Sequence, residues 1–196
     1  MLIRNIWAIG RNYADHAKEL GHQVPGSPLI FLKAGSCAVI DGAEIVLPAW
    51  ATDVHHEVEL AVQVDENRRV HRAAVALDLT ERTLQNVFKA KGWPWTLAKS
   101  FTGSCPVSEF FAVRDLEELK DLEITLAVNG QVRQHGRTSQ MIFPLAQQLE
   151  FLYAHFPVCA GDLLLTGTPA GVGPLKKGDD VLAEISGKVR KSWTVG

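Results

Sequence analysis

Cysteine is scarce in this chain. Cys37, Cys105 and Cys159 are the only three, widely spaced and odd in number, with no CxxC pair. That excludes a disulfide framework and the usual zinc spacings, and it leads us to expect a reducing, cytoplasmic setting. Charge of one sign is not in excess either: 20 Lys+Arg against 22 Asp+Glu leave a net charge of −2. No global attraction to nucleic acid or to an anionic membrane follows, and neither is expected as a partner. No apolar run approaches the length of a membrane span. The opening MLIRNIWAIGRNYADH is charged too early to be expected to act as a secretory signal. Repeats, low-complexity tracts and linker-like shifts in composition are missing, so one domain over residues 1–196 is expected. Also missing are GxSxG and HExxH, which leaves nucleophilic serine chemistry and zincin chemistry without a signal. The loop TGTPAGVGP lacks the GK[ST] ending of a phosphate loop, and its GxG at Gly171–Gly173 is not followed by xxG. A nucleotide site is therefore not read there.

What remains is an ordinary globular composition, 46% hydrophobic and 21% charged, with a strand-rich pattern. Ile3–Ile9 reads as a strand. Tyr13–Leu20 reads as a helix, with Asn12 as its N-cap and Gly21 past its end. LIFLKAG, AVIDG and AEIVLPA are short extended pieces, and AAVALDL is a buried strand. TERTLQNVFKAKG is a helix ended by Gly92. LEITLAVNGQVRQHG is a hairpin turning at Asn129–Gly130. A helix within SQMIFPLAQQLEFLYAHF, the strand DLLLT and a closing hairpin complete an α+β pattern rather than alternating βαβ units.

The stretch VHHEVELAVQV, residues 54–64, alternates nearly without fault. His56, Val58, Leu60, Val62 and Val64 share one parity, and His55, Glu57, Glu59, Ala61 and Gln63 share the other. On a strand, Glu57 and Glu59 would project from the same face. Two converging carboxylates suit a hard cation such as Mg²⁺, although a solvated acidic face is the ordinary alternative. His56 reads as a satisfied core histidine, and His55 has no assigned role. Asp78 stands where strand passes to helix, in line with Arg82 and Gln85; a helix cap with Glu81 is its competing role. His16 and Glu19 can touch at helical spacing, which suits a general base oriented by a carboxylate, or a plain surface pair. Lys99 sits in apolar company and can serve an oxyanion or reach out to solvent. The TGTPAGVGP turn can present backbone N–H groups and a Thr hydroxyl to a carboxylate.

In chain order, IWAIGRNYADHAKE, PLIFLK, VHHEVELAV, LDLTERTLQ, KGWPWTLAKSF, VNGQVRQHG, SQMIF and LLLTGTPAGVG resemble the fumarylacetoacetate hydrolase family over nearly the whole chain. HHEVEL, LAKSF and TGTPAGVG, in that order, are the specific part. Within the family the chain looks most like the short acylpyruvate hydrolase and oxaloacetate decarboxylase type. The resemblance implies mixed, highly bent β-sheets with a few short helices, a homodimer, and a lid helix over residues 12–21. It implies Mg²⁺ or Mn²⁺ held by Glu57, Glu59 and Asp78. His16 and Glu19 then match the catalytic pair, with Lys99 beside the oxyanion, and Arg82, Gln85 and Thr168 match substrate-lining positions. The implied activity is metal-dependent hydrolysis of a carbon–carbon bond in acylpyruvates or related 2,4-dioxo acids, with oxaloacetate decarboxylation on the same site. An isomerase or decarboxylase of aromatic catabolism shares that metal motif, and a non-catalytic protein binding metal and dicarboxylate is the competing class. Two departures stand out. Thr83 follows Arg82 where the family commonly has aspartate, and the 65–77 connector is short, so the pocket wall it supplies is expected to differ.

Overall fold

The computed structural model describes residues 3–19 and 26–196. The chain opens with β1 (Asn5–Gly10), turns through α1 (Ala14–Glu19) and returns as β2 (Leu29–Ala34). Short pieces β3 (Ala38–Ile40), β4 (Glu44–Ile45) and β5 (Val54–His56) lead into β6 (Val58–Val64) and β7 (Val70–Leu77). Next come β8 (Thr80–Glu81), α2 (Arg82–Lys91), α3 (Thr96–Lys99), β9 (Cys105–Val107) and β10 (Phe111–Ala112). The hairpin β11 (Glu123–Val128) and β12 (Gln131–Arg137) precedes α4 (Leu145–His155). β13 (Leu163–Leu165), β14 (Gly173–Pro174), β15 (Asp180–Ile185) and β16 (Val189–Val195) close the chain.

Among the described residues three sheets form: β2-β1-β13-β6-β7-β9-β3 with β10 on β7, then β12-β11-β15-β16-β4, then β14-β5-β8. The first mixes parallel pairs, β1 with β13 and β3 with β9, with antiparallel ones. These are the mixed, curled sheets with few short helices expected of the family fold.

The β6–β7 hairpin sits in the interior of the first sheet, flanked by β13 and β9. Its turn forms because the Asp65 carboxylate accepts from the backbone N–H of Asn67 and Arg69, both at 2.8 Å. Every residue of β6 is buried. Val58, Leu60 and Val62 belong to the main core, with Leu126, Ile185 and Trp193 of the second sheet. Each such side chain contributes about 1.5–3 kcal/mol of transfer free energy. The opposite face meets a second cluster rich in small residues, including Ala8, Ala61, Ala74 and Ala76. Those alanines leave room on the face that carries Glu59.

The β11–β12 hairpin turns at Asn129 (φ 52°) and Gly130 (φ 75°), both in the left-handed region that a two-residue turn requires. α2 ends at Gly92, also left-handed at φ 67°.

Three local expectations need correction. The strand over 54–64 is two strands broken at Glu57. Asn12 is not a helix cap: its side chain donates to Thr166 O (2.7 Å) and Phe143 O (3.2 Å) and accepts from Phe143 N (2.8 Å). It clamps β1 to the end of β13, a tertiary demand that local capping rules do not contain. The lid helix proposed for 12–21 is seen as Ala14–Glu19, and its Leu20 and Gly21 lie outside the described residues.

Candidate active site

The break between β5 and β6 is held by Gln134 of β12. Its Oε1 accepts from Val58 N (3.0 Å) and from His56 Nδ1 (2.9 Å). Its amide nitrogen donates to Thr168 Oγ1 and Pro169 O, both at 2.8 Å. His56 is thus a satisfied core histidine with its proton on Nδ1. The Glu57 carbonyl accepts from Asp78 N at 2.8 Å, which seats the end of β7 beside the break. On a regular strand, same-face neighbours stand about 6.6 Å apart. Here carboxylate oxygens of Glu57, Glu59 and Asp78 all lie within 4.8 Å of one another. All three residues are buried, Glu59 to 1% exposure.

Burying three carboxylates together demands compensation. Lys99 Nζ donates to Glu57 (2.8 Å) and to Asp78. Arg82 donates to Glu57 and, at 2.7 Å, to Gln85 Oε1. Lys33, wholly buried, donates to Asp78 at 2.6 Å and to Ser104 O at 2.8 Å. Burial alone would raise the Glu57 carboxyl, but the Lys99 and Arg82 charges outweigh it and hold Glu57 well below the usual range. Among the described residues Glu59 has no such cationic hydrogen-bond partner. Burial, and then the Asp78 and Glu57 charges, push its carboxyl well up, against one 2.6 Å hydrogen bond from Gly167 N.

His16 and Glu19 of α1 meet at 3.3 Å, Nδ1 to Oε2. His16 lines the same cavity as the three carboxylates. Burial lowers its pKa, against the opposing pull of Glu57 and Glu19, so the imidazole is neutral at neutral pH. Glu19 is gripped in turn by Gly171 N, 3.2 Å from both of its oxygens. The TGTPAGVGP turn therefore does offer backbone N–H groups to carboxylates, but to the chain's own Glu59 and Glu19. Both donors are glycines for a reason: at φ 100° and 96°, a Cβ on Gly167 would meet Asn12 Cβ at 2.5 Å, and one on Gly171 would meet Arg133 O at 1.9 Å.

All nine sequence-predicted site residues lie in this constellation. Glu57, Glu59, Asp78, His16, Arg82, Gln85, Lys99 and Thr168 line one cavity, and Glu19 stands behind His16. The cap role once weighed for Asp78 belongs to Glu81, whose carboxylate accepts from Leu84 N at 2.6 Å. His55 pairs with Asp53 at 2.9 Å and is not part of the cavity wall. Thr83 is exposed, so the departure there faces solvent. Sequence reasoning missed Lys33 and Gln134. A lysine inside the apolar LIFLKAG is the one signal that could have flagged Lys33; nothing marks Gln134 within QVRQHG.

The donor set fits a divalent cation. It consists of hard oxygens from the β5–β6 break, from β6 and from the residue that follows β7, without sulfur or imidazole. A cation would also relieve the repulsion that raises the Glu59 carboxyl. Curled sheets enclose a carboxylate cluster that is a candidate site for a divalent cation, with His16 on the same cavity and Glu19 behind it.

Comparison with known proteins agrees. The family model described as fumarylacetoacetate (FAA) hydrolase C-terminal matches residues 5–195. The human protein "Oxaloacetate tautomerase FAHD1, mitochondrial" is 41% identical, over 98% of this chain and 91% of its own. The Dictyostelium discoideum "Oxaloacetate decarboxylase, mitochondrial" is 40% identical, over 94% and 89%. The crystal structure of fumarylpyruvate hydrolase from Pseudomonas aeruginosa, in complex with Mn²⁺ and pyruvate, superimposes with a TM-score of 0.92. It is 31% identical, over 98% of this chain and 89% of that one. The chain belongs to the fumarylacetoacetate hydrolase family.

Proposed function

We propose that this protein is a Mg²⁺- or Mn²⁺-dependent enzyme that cleaves a carbon–carbon bond in acylpyruvates or related 2,4-dioxo acids. The observation that carries the reading is the meeting, on one cavity, of three buried carboxylates and the neutral His16 backed by Glu19. The ion, when bound by Glu57, Glu59 and Asp78, supplies Lewis-acid polarisation and a template for the 2-oxo carboxylate. His16 takes a proton from a water, whose oxygen adds to the far carbonyl. The bond between that carbonyl and the adjoining methylene carbon then breaks, leaving its electron pair as the enolate of pyruvate. His16 returns the proton to carbon. Lys99 offsets the developing negative charge. Arg82, Gln85 and Thr168 orient the 2-oxo acid, and closure of α1 excludes bulk water.

Oxaloacetate is the second reading, supported by the two relatives named for it at 40–41% identity. Decarboxylation yields the same enolate without an attacking water. Tautomerisation needs only a proton moved from carbon to oxygen, which His16 can do. The protein is also expected to pair with a second copy, and exposed Leu32, Trp93 and Leu97 are candidates for that contact.

The test is a panel of acetylpyruvate, fumarylpyruvate and oxaloacetate with Mg²⁺, Mn²⁺ or EDTA. Pyruvate release and the enol absorbance of oxaloacetate are followed. Metal-dependent turnover of the dioxo acids supports hydrolysis. Tight metal binding with no turnover of any of them would leave a non-catalytic binding protein.

A further inference from the structure

A cleft of about 630 Å³ opens between the β11–β12 hairpin and the β14 segment, and it shares no lining residue with the catalytic cavity. That volume suits a small organic molecule. His56, 2% exposed, forms part of its wall. The Nδ1 proton of His56 is spent on Gln134 Oε1. Nε2 therefore carries the lone pair, and among the described residues nothing donates to it. Gly173 is the reason. It stands directly across from His56 in the β14–β5 pair, and without a side chain there the Nε2 edge stays uncovered. A Cβ on Gly173 would lie 3.4 Å from that atom. Buried polar atoms are nearly always paired, so a bare acceptor on a cleft wall points to a donor that comes from outside the chain.

Arg133 and Lys176 line the same cleft, both exposed, and among the described residues neither side chain pairs with a carboxylate. The acid on this wall, Asp179, already accepts from Asn129 Nδ2 at 2.9 Å and from Lys176 N at 2.7 Å. Two cations against one acid leave the cleft positive. Val132, 66% exposed, and Val172 add apolar surface to the wall. We propose that this cleft is a second ligand site, for a small organic anion that also carries a hydroxyl. The anion, a phosphate or a carboxylate, meets Arg133 and Lys176. The hydroxyl donates to His56 Nε2, and the carbon body rests on the two valines. The carboxylate cluster and His16 line the other cavity, so this ligand is held rather than transformed. Nothing in its recognition depends on the reaction proposed above.

The test uses two pairs of unreactive probes. One pair is 3-hydroxypropyl phosphate and propyl phosphate, the other 4-hydroxybutyrate and butyrate; within each pair only the hydroxyl differs. Binding to the Mn²⁺-loaded protein is followed by titration of backbone amide shifts, for wild type, Arg133→Gln, Lys176→Gln and Gly173→Ala. The pair that binds tighter identifies the anion. Its hydroxylated member should bind about fivefold to tenfold better than its parent, with shifts at Val172 and Gly173. Gly173→Ala should erase that advantage, because its methyl covers Nε2; the position is not left-handed, so alanine fits the backbone. Each cation variant should weaken both members about twofold to fivefold, as for exposed charges. No binding by any probe, or shifts confined to the catalytic cavity, overturns the site. So do parent and hydroxylated probes bound alike by wild type, an advantage that persists in Gly173→Ala, and binding that both cation variants leave unchanged.

Discussion

Strand β6 carries Glu59, and helix α1 carries His16 and Glu19. β6 is paired on both sides, by β13 and β7, and is buried at every position. α1 is six residues long, under two turns, a length that does not hold a helix by itself. Its observed anchors are Asn12, clamped to β13 just before it, and the Gly171 N–H on Glu19 at its end. The carboxylate cluster thus cannot shift without disturbing the sheet, whereas the proposed lid role of α1 requires it to move. A cation site gains from preorganised ligands, because spreading and regathering buried charges is expensive. A base that must admit substrate and then exclude water gains from the opposite. The proposed roles thus ask for a rigid cluster and a movable base.

The comparison can be broken first at the cluster. Asp78→Ala removes the carboxylate partner of Lys33 and one of the two that hold Lys99. Urea unfolding should show a loss of about 3–5 kcal/mol, as for other buried pairs deprived of one member. Metal binding and turnover should vanish with it, as they should for wild type in EDTA. Unchanged stability would mean that the cluster is not the rigid pole.

Acting on the other pole, His16→Ala should lower kcat for dioxo-acid hydrolysis by about 10²- to 10⁴-fold. Metal affinity should stay near wild type, and decarboxylation of oxaloacetate should suffer less. Equal losses in both reactions would erase the division between base and metal poles. Gly171→Ala should act through the anchor: its Cβ cannot coexist with Arg133 O, so the loop must shift. A cost of about 1–3 kcal/mol is expected, together with a fall in kcat at unchanged metal affinity.

The smallest effect is on pH. Burial lowers the His16 pKa, and the base is active when neutral. The acid limb of kcat/KM should therefore fall below pH 6.5, the ordinary value for the group. A limb above that value would contradict the lowering of the His16 pKa by burial.

Much of this molecule was legible along the chain. The Asn129–Gly130 turn, the Gly92 helix stop and the alternation in VELAVQV are local devices, and each appears in the fold where the sequence places it. The segments that resemble the family also carried the nine site positions into view. Other features were not legible. Gln134 acts on Val58 across 76 residues of chain, and Lys33 on Asp78 across 45. Neither has a local pattern, because the partner that gives it meaning arrives only when the sheets close. Asn12 looked like a helix cap for the same reason: its type suits a cap, and its competing partners on the 143 and 166 backbone are distant in sequence.

By itself, the sequence determined the periodicities, the turn positions and the chemical types available, since these depend on neighbours within a few residues. Only the tertiary structure decided that the strand breaks at Glu57 and that three carboxylates gather under Lys33, Lys99 and Arg82. Charges a few ångströms apart in a buried site set one another's protonation, and that proximity is created by sheet closure rather than by any interval in the chain.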